Sequence, residues 1–203
     1  MALEKMIEAI EDNRVYLDEL DRATGDGEHG SNLCRGFQEL KKKLLSLEEM
    51  CTGDLLVRTG EVLTSNIGGA AGPLYGIAFV NAGRKVLGKA EITKEDISEM
   101  LSSALEGVKK IGKAQIGDKT IVDALEPAVN SFREAVNKGQ SLRESLGIAV
   151  ESAKKGAEST THLEAKKGRA SYLGSRTCGC QDPGATSTYL ILKAILESCN
   201  KTI

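Results

Sequence analysis

Residues 17–32 read Leu-Asp-Glu-Leu-Asp-Arg-Ala-Thr-Gly-Asp-Gly-Glu-His-Gly-Ser-Asn, and the fold turns on what precedes the glycines. Gly25-x-Gly27-x-x-Gly30 has the spacing of a dinucleotide-binding turn, which needs a strand on its N-terminal side. Here Leu3, Met6, Ile7 and Ile10 follow a 3–4 spacing, and Leu17 and Leu20 extend it to about residue 23. That is the period of a helix. Two carboxylates also stand where a pyrophosphate would lie, which is repulsive unless a cation intervenes. An EF-hand fails on the same stretch: counted from Asp21, the twelfth position is Asn32 rather than the required Glu.

Working outward, the same periodicity predicts helices near 31–48, 54–67, 73–87, 94–110, 120–137, 141–157 and 185–199. Thr93 with Asp96 and Ser141 with Glu144 have capping-box spacing and mark two of the starts. No segment alternates as a strand between hairpin turns. Eight helices with short connections predict an all-α fold, an eight-helix antiparallel up-and-down barrel or bundle forming a single domain over 1–203. Glycine numbers 22 of 203 residues, against a usual ~7%. With Leu, Ile, Val and Ala recurring at helical spacing, the excess is expected where the backbone turns or meets a ligand. Gly25, Gly27 and Gly30 fall in the 1–2 junction, and Gly68, Gly69 and Gly72 in the 3–4 junction. Gly112 and Gly117 fall in the 5–6 junction, and Gly168, Gly174, Gly179 and Gly184 in the 7–8 junction. In an up-and-down bundle these four connections share one end, so the candidate site is one rim.

Composition narrows the function. There are 27 Lys and Arg against 29 Asp and Glu, a formal charge of −2, which gives no case for nucleic acid or an anionic membrane surface. Apolar runs are far shorter than a bilayer span, and the N-terminal MALEKMIEAIEDNR lacks the apolar stretch of a signal peptide. Five cysteines without framework spacing are expected as reduced thiols in a cytoplasmic protein.

The loops carry the chemistry. Asp21, Asp26 and Glu28 place three carboxylates within eight residues, the oxygen set that Mg²⁺ or Ca²⁺ prefers; a polar turn between helices is the plain alternative. Asn66–Gly76 is a run of small residues before Pro73, suited either to an anion at a helix N-terminus or to close helix packing. Gly112–Thr120 approaches a P-loop, but Asp118 separates the second glycine from Lys119 and helix precedes it, so that reading fails. Thr120 with Asp123 has capping-box spacing. Arg169 offers a fork for phosphate, and Asp182-Pro183-Gly184 a tight turn. Cys178-x-Cys180 has too few partners for a soft metal. Cys34, Cys51 and Cys199 are expected as packing residues and His162 as solvated.

Four stretches now stand in order: LDRATGDGEHGSN, NIGGAAGPLYG, GDKTIVDALEPA and KGRASYLGSRTCGCQDPGATS. Over essentially the whole chain they resemble the nucleotide-binding L subunits of dihydroxyacetone kinases. The resemblance implies an eight-helix barrel that holds ADP or ATP through two Mg²⁺ ions, with Asp21, Asp26 and Glu28 as the metal ligands. It implies that His29, Ser31, Asn32, Ala70, Ala71, Gly112, Thr120, Ile121, Arg169, Asp182 and Gly184 surround the nucleotide. No residue of this chain is then a catalytic nucleophile, since phosphoryl transfer is mostly positioning and charge neutralisation.

The implied partners are a K subunit that holds dihydroxyacetone on a histidine, and the phosphocarrier M subunit of the phosphotransferase system. The latter recharges ADP from phosphoenolpyruvate. A homodimer and docking to a transcription regulator are further expectations. Two alternatives stay open: a regulatory nucleotide-binding module, and the L subunit of an ATP-dependent tetrulose kinase. Three departures stand out. Glu28 replaces a usual Asp, which leaves direct and water-mediated metal contact both open. Ala71 replaces a common Ser, and Cys180 a usual His.

Overall fold

An asparagine interrupts the first expected helix. Asn13 has φ −101° and ψ 9°. Its Nδ2 donates to the Ala9 carbonyl at 2.8 Å, and its own amide reaches the same oxygen at 3.3 Å. A side chain that competes for a helix carbonyl in this way favours a break. The window expected as one helix to residue 23 is therefore two, α1 (Ala2–Asp12) and α2 (Arg14–Arg22).

The computed structural model describes residues 2–47 and 50–199; these form nine α-helices and two 3₁₀ segments, with no strand among the described residues. The fold is all-α. Each remaining window holds one helix: α3 (His29–Leu47), α4 (Thr52–Asn66), α5 (Ala71–Arg84), α6 (Lys94–Gly112), α7 (Ile121–Asn137), α8 (Leu142–Ser159) and α9 (Pro183–Ser198). Glu48, the expected end of the second window, lies outside the described residues. Pro73 is the third residue of α5, where its missing amide costs nothing because first-turn amides have no acceptor within the helix. Capping boxes close the starts of α6, α7 and α8 at Thr93/Asp96, Thr120/Asp123 and Ser141/Glu144. Among the described residues no helix is long and apolar enough to cross a membrane.

Contacts divide the chain into two compact units. The first comprises the chain up to Ser31 and from Ala114 onward. In it α9 packs on α1, α2, α7 and α8, and α7 packs on α8. Its core joins Leu3, Ile7 and Ile10 of α1 to Val122, Val129 and Phe132 of α7 and Ile191 and Leu192 of α9. The buried face of α8 is nearly all small: Ala149, Ala153, Gly156 and Ala157. A Cβ on Gly156 would run into the Asp123 carbonyl oxygen, so α7 and α8 approach backbone to backbone.

The second unit, Asn32–Lys113, contains the rest of α3 with α4, α5 and α6. Leu33, Phe37 and Leu40 of α3, Val62 and Leu63 of α4, and Leu105 and Val108 of α6 are among its buried residues. α4 meets α5 glycine against glycine. A Cβ on Gly60 would lie 2.5 Å from the Gly76 carbonyl oxygen, and one on Gly83 2.5 Å from that of Gly53. The sequence places the glycine excess at turns or ligand contacts; part of it instead lets helices touch.

Gly156→Ala is expected to lower stability by about 1–3 kcal/mol through overpacking. Gly147→Ala in the same helix, with open space around its Cβ position, should raise it by roughly 0.5–1 kcal/mol. Denaturant midpoints at unchanged m-value check both.

Candidate functional site

The acidic turn 21–28 leads into α3, and two carboxylates from α2 satisfy the amides at the start of that helix. Asp21 Oδ2 accepts from the amides of Glu28 at 3.0 Å and His29 at 3.3 Å, while its carbonyl accepts from Thr24 and Gly25. A Cβ on Gly25 would collide with Asp21 Oδ1, so the glycine makes room for the folded-back carboxylate. Asp18, buried in α2, takes the next position: its Oδ1 accepts the Ser31 amide at 2.8 Å and its Oδ2 the Ser31 hydroxyl at 2.6 Å. Both acids complement the unpaired donors and positive end of the helix. Asp18 belongs to no motif and was not legible from the sequence.

Asp26 pairs with the Arg169 guanidinium, and both side chains are exposed; Glu28 is exposed on the same turn. Among the described residues no three His, Cys, Asp or Glu side chains gather into a group that could hold a metal ion. Asp21 is turned to the Glu28 and His29 amides and Asp26 to Arg169. The donor chemistry nevertheless fits a hard cation: the acids are all oxygen donors on one turn, Gly25 leaves space for one of them, and Asp26 already holds a positive charge.

The starts of α7 and α9 adjoin. Asp182 caps α9, its Oδ2 accepting the Ala185 amide at 2.7 Å, and its own amide donates to Thr160 Oγ1 at 2.8 Å. Burial pushes the Asp182 carboxyl up to about 7; the charge of Asp123 adds to the rise, while the Ala185 amide and Lys119 oppose it. A Cβ on Gly184 would sit 3.1 Å from Asp182 Oδ2 and 3.5 Å from the Ile121 amide nitrogen, so the glycine lets the two helix starts approach closely. Thr120 caps α7 through the Val122 amide at 3.2 Å, and Asp123 accepts the Thr120 amide at 2.7 Å and the Gly117 amide at 2.6 Å. His29 connects α3 to α9, its Nε2 lying 2.9 Å from Ser187 Oγ. The Ser187 hydroxyl lies 2.8 Å from the Pro183 carbonyl and donates there, so the imidazole donates from Nε2.

His29, Ser31, Thr120, Ile121, Arg169, Asp182 and Gly184 thus belong to the first unit with the acidic turn. Asn32, Ala70, Ala71 and Gly112 belong to the second. There Asn32 Oδ1 accepts from Arg35 Nη2 at 2.7 Å, and Arg35 Nε donates to the Asn66 carbonyl at 3.1 Å. This links α3 to the glycine turn before α5, where Gly69 has φ +65°.

In the sequence Lys119 reads as part of a failed P-loop and of the stretch GDKTIVDALEPA, with no role assigned. It is buried, and its ammonium donates to the Thr160, Thr177 and Cys180 carbonyls at 2.7, 2.7 and 2.6 Å. The expected long loop between α8 and α9 contains two 3₁₀ segments, Thr160–His162 and Arg169–Thr177, the second kinked at Gly174 with φ +58°. His162 is exposed, as expected. Cys34 is buried, but Cys51, expected to pack, is exposed at the N-cap of α4: the helix begins just after it, so its side chain precedes the buried face.

Burial holds the His29 imidazole well below its ordinary value, at about 4, against an opposing pull from Asp18. A depressed folded value contributes stability that is complete above the unfolded value of about 6.5 and is lost as pH falls through about 4. His29→Gln should remove this dependence. Melting curves between pH 7 and pH 4 are expected to show the wild type losing its advantage over the variant across that window.

The DAK2 domain family matches residues 23–197. The chain is similar to the PEP-dependent dihydroxyacetone kinase, ADP-binding subunit DhaL, of Escherichia coli (strain K12). The two are 40% identical over 180 residues, covering 89% of this chain and 86% of that one. Among solved structures it is similar to the dihydroxyacetone kinase of C. freundii in native form, with TM-score 0.75 and 30% identity. It is also similar to that kinase in complex with AMP-PNP and Mg²⁺, with TM-score 0.71 and 29% identity. Each match covers 97% of this chain and 33% of the kinase chain, so this chain spans about a third of their length. The chain belongs to the DAK2 domain family.

Proposed function

We propose that this chain is the nucleotide-carrying L subunit of a dihydroxyacetone kinase, active with a separate K subunit that binds the sugar. The observation that carries the reading is the turn 21–28, where three carboxylates share one loop and Asp26 holds the Arg169 guanidinium. Acids for a cation beside an Arg for phosphate form the polarity of a metal–polyphosphate site. Support also comes from the relatives: one is named as an ADP-binding subunit and another was solved with AMP-PNP and Mg²⁺.

In this reading Asp21, Asp26 and Glu28 hold two Mg²⁺ ions, which neutralise the phosphate charges of ADP or ATP. Arg169 moves from Asp26 to a phosphate oxygen, and Gly184, having no Cβ, lets the nucleotide approach the backbone beside the Ile121 amide. His29, uncharged and tied to Ser187, fixes the start of α3 against α9. Ser31 and Thr120 are oriented by Asp18 and Asp123, and Asp182 fixes the α9 turn. From the second unit the reading adds Asn32, Ala70, Ala71 and Gly112. The single domain over 1–203, the cytoplasmic location, the homodimer and a regulator partner belong to the same proposal. The phosphoryl is handed to a hydroxyl of dihydroxyacetone on the K subunit. ADP is recharged in place by the phosphoenolpyruvate-dependent phosphocarrier M.

Asp26→Asn is expected to weaken Mg²⁺-dependent ADP binding by about tenfold or more, because an amide oxygen is a poorer ligand than a carboxylate. Calorimetric titration with MgADP reads the loss, and EDTA should abolish the wild-type signal. Dihydroxyacetone phosphorylation should appear only when K subunit, phosphocarrier and phosphoenolpyruvate are supplied together; no turnover in that mixture would overturn the assignment.

A further inference from the structure

Lysine is almost never fully buried, yet Lys119 is 3% exposed and has φ +60°, a left-handed conformation uncommon for a side-chain-bearing residue. An ammonium has three donors and no acceptor. Here all three are used, on the carbonyls of residues 41, 58 and 61 positions further along the chain. Those carbonyls flank the 3₁₀ segment Arg169–Thr177 on both sides. Thr160 lies before it, Thr177 ends it, and Cys180 lies two residues ahead of Asp182.

The other ties of the segment are neutral hydrogen bonds or ion pairs with exposed cations. The segment is entered at Gly168 with φ +63° and kinked at Gly174, and its Tyr172 is 88% exposed. Four neutral links run beside the lysine: Gly179 N–H to the Thr161 carbonyl at 2.8 Å, Lys166 N–H to the Asp118 carbonyl at 3.0 Å, Ala165 N–H to Thr177 Oγ1 at 2.9 Å, and Asp182 N–H to Thr160 Oγ1 at 2.8 Å. Charge-assisted bonds are roughly twice as strong as neutral ones, and the pairs of Arg169 with Asp26 and of Lys166 and Lys167 with Asp118 have exposed cations that solvent screens, so the buried lysine is the strongest single tie.

We infer that Lys119 is a positioning residue of the nucleotide site: clamping the carbonyls of Thr160, Thr177 and Cys180, it holds the segment that presents Arg169 and the turn that opens α9. The inference rests on the nucleotide reading above. Lys119 itself touches no nucleotide, because every donor on it points inward; it acts through Arg169 and Asp182.

The test is a double-mutant cycle read by calorimetric MgADP titration, with circular dichroism confirming that each variant is folded at the working temperature. Lys119→Met is expected to weaken ADP by about tenfold or more, as three buried carbonyls lose their donor. Lys119→Arg, which retains a positive donor, should recover part of the loss. If Lys119 works through Arg169, adding Lys119→Met to Arg169→Ala costs much less than it does in the wild type. Wild-type affinity in Lys119→Met, or fully additive losses in the cycle, would overturn the inference while leaving the nucleotide reading intact. A wild-type protein that takes up no MgADP overturns both. Should Lys119→Met not fold, hydrogen exchange in Lys119→Arg against the wild type decides: faster exchange of the Gly179 and Asp182 amides supports the clamp, and unchanged rates sink it.

Discussion

An α-helix begins with amide groups that nothing inside it can satisfy, and in the first unit carboxylates answer the beginning of α8, through the Glu144 capping box, and three beginnings nearer the acidic turn. Asp18 and Asp21 serve α3, Asp123 serves the start of α7, and Asp182 serves α9. A helix start answered in this way is fixed in direction and partly neutralised. The loops between these helices therefore have defined ends, and the residues on them have places that the helix cores alone would not impose. Much of the local acidity is structural in this sense: Asp18, Asp123 and Asp182 are occupied with amides, and Asp21 is half so. Asp26 and Glu28 are the acids of the 21–28 turn for which no backbone hydrogen bond takes the side chain.

Helix content was legible because burial on one face writes itself into the spacing of apolar residues. Leu3, Met6, Ile7 and Ile10 are all buried on α1, as their period required. The break at Asn13 was not legible, because the outcome depends on whether one amide side chain folds back onto Ala9 or reaches elsewhere. Glycine was legible in number but only half in purpose. Gly69 and Gly168 have the positive φ expected of turns, but Gly60 and Gly76 sit inside helices and are small so that α4 and α5 can touch. Composition cannot separate these uses, since both ask only for a missing Cβ.

The site was legible where its logic is local. The amides that Asp21 accepts and the amide that Thr120 caps lie within a few residues of those side chains. It was illegible where the logic is long-range. The pairing of Asp26 with Arg169, the bond from His29 to Ser187 and the reach of Lys119 to Thr177 join positions far apart in the chain. No spacing rule records such contacts. Lys119 is the instructive case: as a sequence it completes a near-match to a phosphate-binding loop, but Asp118 displaces it by one position. In the fold its ammonium points into the protein's own carbonyls.

Two cations, Lys119 and Arg169, have opposite standing, and the contrast follows from burial. Lys119 is enclosed with each donor matched, so removing it strands three carbonyls in a place water does not reach. Arg169 and Asp26 form an exposed pair, and such pairs contribute about 0–1 kcal/mol because solvent screens them and both side chains lose freedom. A divalent ion at Asp26 and a phosphate at Arg169 can therefore displace the pair at small cost. Each partner then exchanges one opposite charge for another. In the proposed function this makes the pair a placeholder: it keeps an acid and a guanidinium neutralised side by side until cation and polyphosphate arrive together. A buried pair in the same position would resist that exchange, because breaking it would leave two desolvated charges uncompensated at once. The exposed cation can thus be exchanged, while the buried one keeps the segment that carries it in place.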